Sequence, residues 1–140
     1  MNPRNTNICI TKIASQTTGT TADLCEGDVL NVEQLCYGMM LPSGNDAAYT
    51  LAEYFGNLIH ERKLSTVVAN SFKSKFENTP VKHFLKEMNL QAHKIGMASS
   101  YYDSPHGLMN KSNYSTAEDQ ALLVSEVMKV DFFRKVVNTI

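Results

Sequence analysis

The chain has 140 residues, of which 43% are hydrophobic and 19% are charged, and its formal net charge is -1. This length and composition suit one compact globular domain and exclude a disordered or collagen-like chain. A charge so close to zero offers no basic field for nucleic acid or an anionic membrane, and no apolar run approaches the roughly 18 residues of a membrane span, so neither partner is expected.

The first part of the chain is predicted to form a short strand and then a helix. Ile8 and Ile10 alternate with polar neighbours, which indicates a strand that runs into a Ser/Thr/Gly-rich loop over residues 15–21. Asn31 and Gln34 have the spacing of a capping box at the start of a helix that ends near the next proline. The apolar residues of this helix are Val32, Leu35, Cys36, Met39 and Met40.

Two further helices are predicted in the middle of the chain. The tight polar turn Pro42-Ser43-Gly44-Asn45 precedes the first of them. Its apolar stripe consists of Ala47, Ala48, Leu51, Ala52, Phe55 and Ile59. The second carries Val81, Phe84, Leu85, Met88 and Ala92. Gly96 suits the position just after the end of that helix.

The last part of the chain is predicted to begin with an extended segment over residues 97–102 and a turn over residues 104–107. Ser115 and Glu118 have the spacing of a capping box for the next helix. Asp131 is a candidate cap for a final short helix.

Neither a metal nor another cofactor is expected. Cys9, Cys25 and Cys36 are spaced unlike a zinc or redox pair and are predicted to be thiols. The basic residues Arg62, Lys63, Lys73 and Lys75 are interrupted by acidic ones and indicate a solvated helix face.

The turn between the first two helices holds the best candidates for chemistry. Ser43, Asn45 and Asp46 place a hydroxyl, an amide and a carboxylate close to a helix start, where they could face a cleft. The alternative is structural. Ser43 or Asn45 would cap the helix, and the helix dipole would stabilise the negative charge of Asp46 in the first turn.

Several strings resemble, in order and approximate spacing, the serine D-alanyl-D-alanine carboxypeptidases, which are low-molecular-mass penicillin-binding proteins. They are residues 24–30 (LCEGDVL), 41–48 (LPSGNDAA), 84–89, 95–97, 104–108 (SPHGL) and 114–119 (YSTAED). The resemblance covers roughly residues 10–139 and implies a mainly α chain. The resemblance further implies that this chain corresponds to the helical lobe of the α/β fold of β-lactamases and DD-peptidases, with little of the antiparallel sheet. Residues 1–140 are then expected to form part of a catalytic domain.

Enzymes of this kind use three motifs, S-x-x-K, S-x-N and K-T-G. Only the second occurs here, as Ser43-Gly44-Asn45. The resemblance implies that Ser43 is a catalytic residue that passes protons to the leaving amine. It also implies that the Asn45 amide binds the substrate and the motif lysine, with Gly44 as a spacer. The motifs with the nucleophile and the substrate-groove strand are expected outside these 140 residues, and without them Ser43 is not expected to catalyse hydrolysis.

The resemblance implies hydrolysis of the terminal D-alanine of peptidoglycan peptides through an acyl-enzyme, with a peptide ending in D-Ala-D-Ala or a β-lactam as the ligand. The alternative is a non-catalytic remnant that binds a peptide or a protein partner. A β-lactamase ranks third, since the turn is closer to the carboxypeptidase pattern. Family members work outside the cytoplasm, yet no signal peptide is recognised in this sequence.

His106 is expected to fix its loop through backbone hydrogen bonds rather than act as an acid or base.

Overall fold

A computed structural model describes residues 3–66, 79–109 and 111–139. The predicted fold class, mainly α with little antiparallel sheet, is confirmed: in these residues six α-helices accompany two strands of three residues each. The strands are β1 (Asn7–Cys9) and β2 (Val29–Asn31), and the helices are α1 (Lys12–Ser15), α2 (Val32–Met40), α3 (Asn45–Thr66), α4 (Pro80–Lys94), α5 (Ala117–Val127) and α6 (Asp131–Val137). A 3-10 turn, Pro3–Asn5, precedes β1. Lys73 and Lys75 of the basic cluster lie outside the described residues.

The two strands pair antiparallel, with Ile8 opposite Leu30. The strand at Ile8 was predicted, but β2 was not, because three residues carry too little alternation to identify a strand. Ile10 extends the pairing beyond β1: its N–H donates to the Asp28 carbonyl at 2.8 Å, and its carbonyl accepts from the N–H of Gly27. Ile10 is 1% exposed, so its side chain lies in the core next to the strand pair.

Helices α2 and α3 form the centre of the molecule. The predicted capping box is confirmed, since the Asn31 side chain accepts from the Gln34 N–H at 2.8 Å and the Gln34 side chain accepts from the Asn31 N–H at 2.9 Å. The apolar faces of the two helices meet the strands and α1 in one buried cluster. Its members are Ile8, Ile10, Ala14, Val32, Leu35, Ala47 and Leu51. This cluster fixes the start of α3 relative to the strands.

Helix α4 lies against α3 at a close backbone contact. Gly56 of α3 faces Pro80 at the start of α4, and a Cβ at Gly56 would overlap the Pro80 carbonyl. At its other end α4 is followed by Gly96, whose φ of 93° is the left-handed conformation predicted from the sequence. In the described part of the chain, no helix combines the length and the apolarity needed to cross a membrane.

Near the carboxyl end, two predicted helix caps were wrong. Residues 97–102, which were predicted to be extended, pair with another segment only at a single antiparallel bridge between Tyr101 and Tyr114. Thr116, not Ser115, caps α5 and accepts from the Asp119 N–H at 3.2 Å. The Ser115 hydroxyl is instead hydrogen-bonded to the side chains of Ser100 and Gln120, so it is not available as a cap.

Asp131 does not cap α6. It is the first helical residue, and its carboxylate forms an ion pair with Arg134. The N-cap residue is Val130, which has no side-chain acceptor, while the Arg134 guanidinium also donates to the Met128 carbonyl at 2.6 Å. An aspartate one residue inside the helix still complements the helix dipole.

The two ends of the chain meet on α2. Arg4 lies 4.7 Å above the ring of Phe132, and Phe132 packs edge-on against Tyr37 of α2. Lys135 of α6 forms a 2.7 Å ion pair with Glu33, and the hydrogen bond and charge of Glu33 raise the pKa of Lys135. These contacts place α6 next to α2.

Candidate functional site

The predicted catalytic turn lies between α2 and α3. Ser43 is exposed and has a φ of 59°, a left-handed conformation that costs a non-glycine residue about 1–2 kcal/mol. Its hydroxyl has no hydrogen-bond partner in the described part of the chain, whereas its carbonyl accepts from the Thr20 hydroxyl. The turn therefore presents the Ser43 hydroxyl outward while holding its backbone.

Asn45 begins α3 and is only 4% exposed. Its N–H donates to the Thr20 carbonyl at 2.9 Å, and its side-chain Nδ2 donates to the Thr18 carbonyl at 2.7 Å. Its Oδ1 accepts no hydrogen bond from the residues that the structure describes, so the amide oxygen remains available to a donor. The alternative that Ser43 or Asn45 caps α3 is wrong, because neither side chain accepts a hydrogen bond from an N–H of the first helical turn. The residue before the helix is Gly44, whose carbonyl accepts the first helical hydrogen bond, from the Ala48 N–H.

Asp46 is the most deeply enclosed polar residue of the turn, with 1% of its surface exposed. Its Oδ2 accepts from the Thr21 hydroxyl at 2.7 Å and from the Leu24 N–H at 3.1 Å. Its Oδ1 accepts from the N–H groups of Ala22 at 3.0 Å and of Ala47 at 2.8 Å. The carboxylate thus joins the segment of residues 18–24 to the first turn of α3.

The carboxyl group of Asp46 remains ionised because its donors outweigh its burial. Burial alone would raise its pKa, but the hydrogen bonds from Thr21 and from the N–H groups of Ala22, Leu24 and Ala47 together lower the pKa below its ordinary value. A negative charge at this position also lies in the first turn of α3, where the helix dipole favours it. The predicted first-turn position of Asp46 is confirmed.

Glycines allow the segment and the turn to approach closely. A Cβ at Gly19 would overlap Nδ2 of Asn45. A Cβ at Gly44 would lie 2.6 Å from the Gly38 carbonyl oxygen, 2.8 Å from Asp46 Oδ1 and 2.9 Å from the Ala22 Cβ. Gly44 is thus required by packing as well as by spacing.

A second loop borders the same site. Leu108 lies beside Gly19, and it is 47% exposed. Its N–H donates to Nδ1 of His106 at 3.2 Å, which is the loop-fixing hydrogen bond expected from the sequence. Burial lowers the pKa of His106, which favours the neutral ring that this bond requires. Asn113 holds the loop from the other side by donating to the Ser104 hydroxyl at 2.7 Å.

An apolar groove lies elsewhere on the described surface. It has a volume of about 620 Å³ between α4 and α5 and is lined by Phe84, Met88, Leu123 and Val127 among others. No residue of the turn over residues 42–46 lines it. The groove and the polar turn are therefore separate features of the surface.

Potential metal ligands and thiols are dispersed over the part of the chain that the structure describes. Across residues 3–66, 79–109 and 111–139, no three His, Cys, Asp or Glu side chains gather closely enough to hold a metal ion. Cys9, Cys25 and Cys36 are free thiols, as predicted. Burial, and then the negative charge of Glu33, raises the pKa of Cys36, so this thiol is less reactive than an exposed one.

Sequence reasoning missed the residues that support the turn. Thr18, Thr20 and Thr21 contact Asn45, Ser43 and Asp46, but they lie 23 to 27 positions away, within a stretch predicted only as a loop. The one available signal was the concentration of hydroxyl residues over residues 15–21. It gave no indication of which helix end the loop would cover.

Comparison with known proteins gives matches to one group. A family model described as D-alanyl-D-alanine carboxypeptidase matches residues 78–138. The D-alanyl-D-alanine carboxypeptidase of Streptomyces sp. (strain K15) is 39% identical over 118 residues, which are 84% of this chain and 35% of that protein.

Solved structures agree with the sequence matches. The crystal structure of the Streptomyces K15 DD-transpeptidase superposes with a TM-score of 0.75 at 34% identity, covering 97% of this chain and 47% of that one. The D-alanyl-D-alanine carboxypeptidase DacD of Francisella tularensis superposes with a TM-score of 0.75 at 31% identity, covering 95% of this chain and 27% of that one. The chain thus spans half or less of the length of these relatives.

Proposed function

Because the chain belongs to the serine D-alanyl-D-alanine carboxypeptidase family, we propose that it supplies the S-x-N part of an active site that removes the terminal D-alanine from peptidoglycan peptides. Residues 1–140 are then part of one catalytic domain. The observation that carries the proposal is the turn itself: Ser43 presents a free hydroxyl beside Asn45, whose backbone and Nδ2 are fixed and whose Oδ1 is available.

The reaction proceeds through an acyl-enzyme. The serine of an S-x-x-K motif attacks the carbonyl carbon of the penultimate D-alanine, the peptide bond breaks, and the leaving nitrogen takes up a proton to give free D-alanine. Water then hydrolyses the ester and restores the serine. The 140 residues contain neither S-x-x-K nor K-T-G, so the attacking serine has to come from outside this sequence.

In this scheme Ser43 carries the proton to the leaving nitrogen. An exposed hydroxyl can accept a proton from one side and donate one to the other, and no partner in the described residues occupies it. Asn45 accepts a hydrogen bond at Oδ1 from the ammonium group of the motif lysine or from a substrate N–H. The bond from its Nδ2 to Thr18 fixes the amide in the orientation that leaves Oδ1 for this purpose.

The proposed ligands are a peptide ending in D-Ala-D-Ala and, by the same chemistry, a β-lactam. Both present an amide carbonyl to the serine and a carboxylate on the leaving side. The Leu108 side chain beside Gly19 supplies an apolar border for the rest of the peptide.

The experiment that tests the function is D-alanine release from a synthetic D-Ala-D-Ala peptide by the protein as its source produces it. Ser43→Ala should lower the rate by about 10²–10⁴-fold, because it removes the proton carrier. Ser125→Ala is the matched control, since Ser125 is an exposed serine on α5, and its rate should equal the wild-type rate. Equal rates for the two variants would contradict the role of Ser43.

A second function is favoured by one observation, the lack of S-x-x-K and K-T-G in the sequence. In that case the chain is a non-catalytic module that binds a peptide or a protein partner. It then binds the same synthetic peptide without releasing D-alanine, which calorimetry combined with the release assay distinguishes.

A further inference from the structure

The carboxylate of Asp46 lies at the centre of the contacts that shape the S-x-N turn. It receives hydrogen bonds from three residues of the segment 18–24, at distances of 2.7 to 3.1 Å, and a fourth from the Ala47 N–H. The segment itself has little regular structure: residues 18–24 contain no helix or strand. Asp46 is therefore the main polar anchor that fixes its path over α3.

The same segment holds the two residues proposed to act in the reaction. The Thr20 hydroxyl donates to the Ser43 carbonyl, and the Thr20 carbonyl accepts from the Asn45 N–H at 2.9 Å. The Thr18 carbonyl accepts from Asn45 Nδ2 at 2.7 Å. A displacement of the segment would remove all three bonds at once and would free the left-handed backbone of Ser43.

We propose that Asp46 is a positioning residue, which sets the orientation of the Ser43 hydroxyl and of the Asn45 amide through the segment 18–24 without touching the substrate. This inference rests on the proposed function, since it assigns Asp46 a part in that reaction. The Asp46 side chain is enclosed by the segment and by α3, so its effect has to be transmitted through Thr18 and Thr20.

Asp46→Asn is the decisive variant because it keeps the volume and changes the hydrogen bonding. With Oδ1 still facing the Ala22 and Ala47 N–H groups, the new amide NH₂ points at the Leu24 N–H and the Thr21 hydroxyl. Two donors then face each other at Leu24, which should push the segment away. Thr21→Val removes the hydroxyl that donates to Asp46 and that accepts from the Asp23 N–H at 2.8 Å. It leaves the N–H donors of Asp46 in place, so it is the milder variant if Asp46→Asn does not fold.

Asp119→Asn provides a matched control for a purely structural effect. Asp119 is 5% exposed, and its Oδ2 accepts from the Ser99 N–H at 2.8 Å and from the Ser100 hydroxyl at 2.6 Å. It resembles Asp46 in burial and in the kinds of donors, but it anchors the loop before α5 rather than the S-x-N turn. Loss of stability alone should affect the two aspartate variants alike.

Two readouts are needed. The first is amide hydrogen exchange of the protein as its source produces it: in Asp46→Asn, protection of the Asn45 N–H should fall at least about tenfold, and Asp119→Asn should leave it unchanged. The second is the acylation rate with a fluorescent penicillin, measured on the protein as its source produces it. Asp46→Asn should lower that rate by about 100-fold, Thr21→Val by less, and Asp119→Asn should not lower it.

The outcomes separate the positioning role from the proposed function. Acylation of folded Asp46→Asn at the wild-type rate, or equal losses in the Asp46 and Asp119 variants, overturns the positioning role. If the wild type is not acylated, the proposed function fails, and hydrogen exchange alone then tests whether Asp46 anchors the segment 18–24. Loss of protection at the Asn45 N–H in Asp46→Asn supports that anchoring role, and retained protection overturns it.

Discussion

Replacing Gly19 by alanine should destabilise the protein more than an equivalent change at Gly27. Both glycines have a left-handed backbone, with φ of 101° at Gly19 and 90° at Gly27. Each alanine therefore carries a backbone cost of about 1–2 kcal/mol. They differ in their surroundings: a Cβ at Gly19 would overlap Asn45 Nδ2, whereas nothing lies within 4 Å of a Cβ at Gly27.

The extra cost at Gly19 follows from the hydrogen bond that the new methyl group displaces. Asn45 Nδ2 donates to the Thr18 carbonyl at 2.7 Å, and Asn45 is 4% exposed, so a displaced Nδ2 loses its partner without gaining full access to water. Leaving such a buried donor unpaired costs about 1–3 kcal/mol. Gly19→Ala should therefore be less stable than Gly27→Ala by about that amount.

Urea denaturation of the wild type and the two variants, followed by circular dichroism, measures the difference. The slope of the free energy against urea should be the same for all three, so that the midpoint reports stability directly. If the two variants differ by less than about 0.5 kcal/mol, Asn45 is not held against the segment 18–24, and the geometry assigned to the S-x-N turn is refuted.

Three further predictions concern other contacts. The lowered pKa of Asp46 stabilises the folded state at pH values above the ordinary carboxyl pKa. Stability should therefore fall as the pH drops through the lower pKa of the folded state. Acid denaturation of Asp46→Asn should lack this step. Gly56→Ala should destabilise the protein by about 1–3 kcal/mol in urea, although alanine usually favours a helix, because its Cβ would overlap the Pro80 carbonyl. Asn89→Ala should cost about 1–3 kcal/mol and speed exchange of the Tyr102 N–H, since Asn89 bonds both the N–H and the carbonyl of Tyr102.

The helices were predictable because their signals are local. The capping box of Asn31 and Gln34 lies within one turn, and Gly96 directly follows the helix that it ends. At α5 the same reasoning selected Ser115 although Thr116 is the cap. Ser115 and Thr116 are neighbouring hydroxyl residues that satisfy the local pattern equally. In the structure Ser100 and Gln120 form hydrogen bonds with the Ser115 hydroxyl, which leaves Thr116 as the cap.

The candidate site was predictable only in part, for the same reason. The turn Ser43-Gly44-Asn45 was recognisable as a motif of consecutive residues. Its support by Thr18, Thr20 and Asp46 was not, because these bonds join residues more than 20 positions apart and use backbone carbonyls and N–H groups, which nearly all residues share. Such contacts become visible only once the chain is folded.

The most direct test of the central claim is to treat an extract of the source with a fluorescent penicillin and to determine the intact mass of the species that contains these peptides. The acyl-enzyme function predicts a labelled species heavier than the 15.6 kDa of the 140 residues, because the attacking serine has to be supplied by further sequence. A species of 15.6 kDa that stays unlabelled would contradict it and leave the non-catalytic binding module as the function.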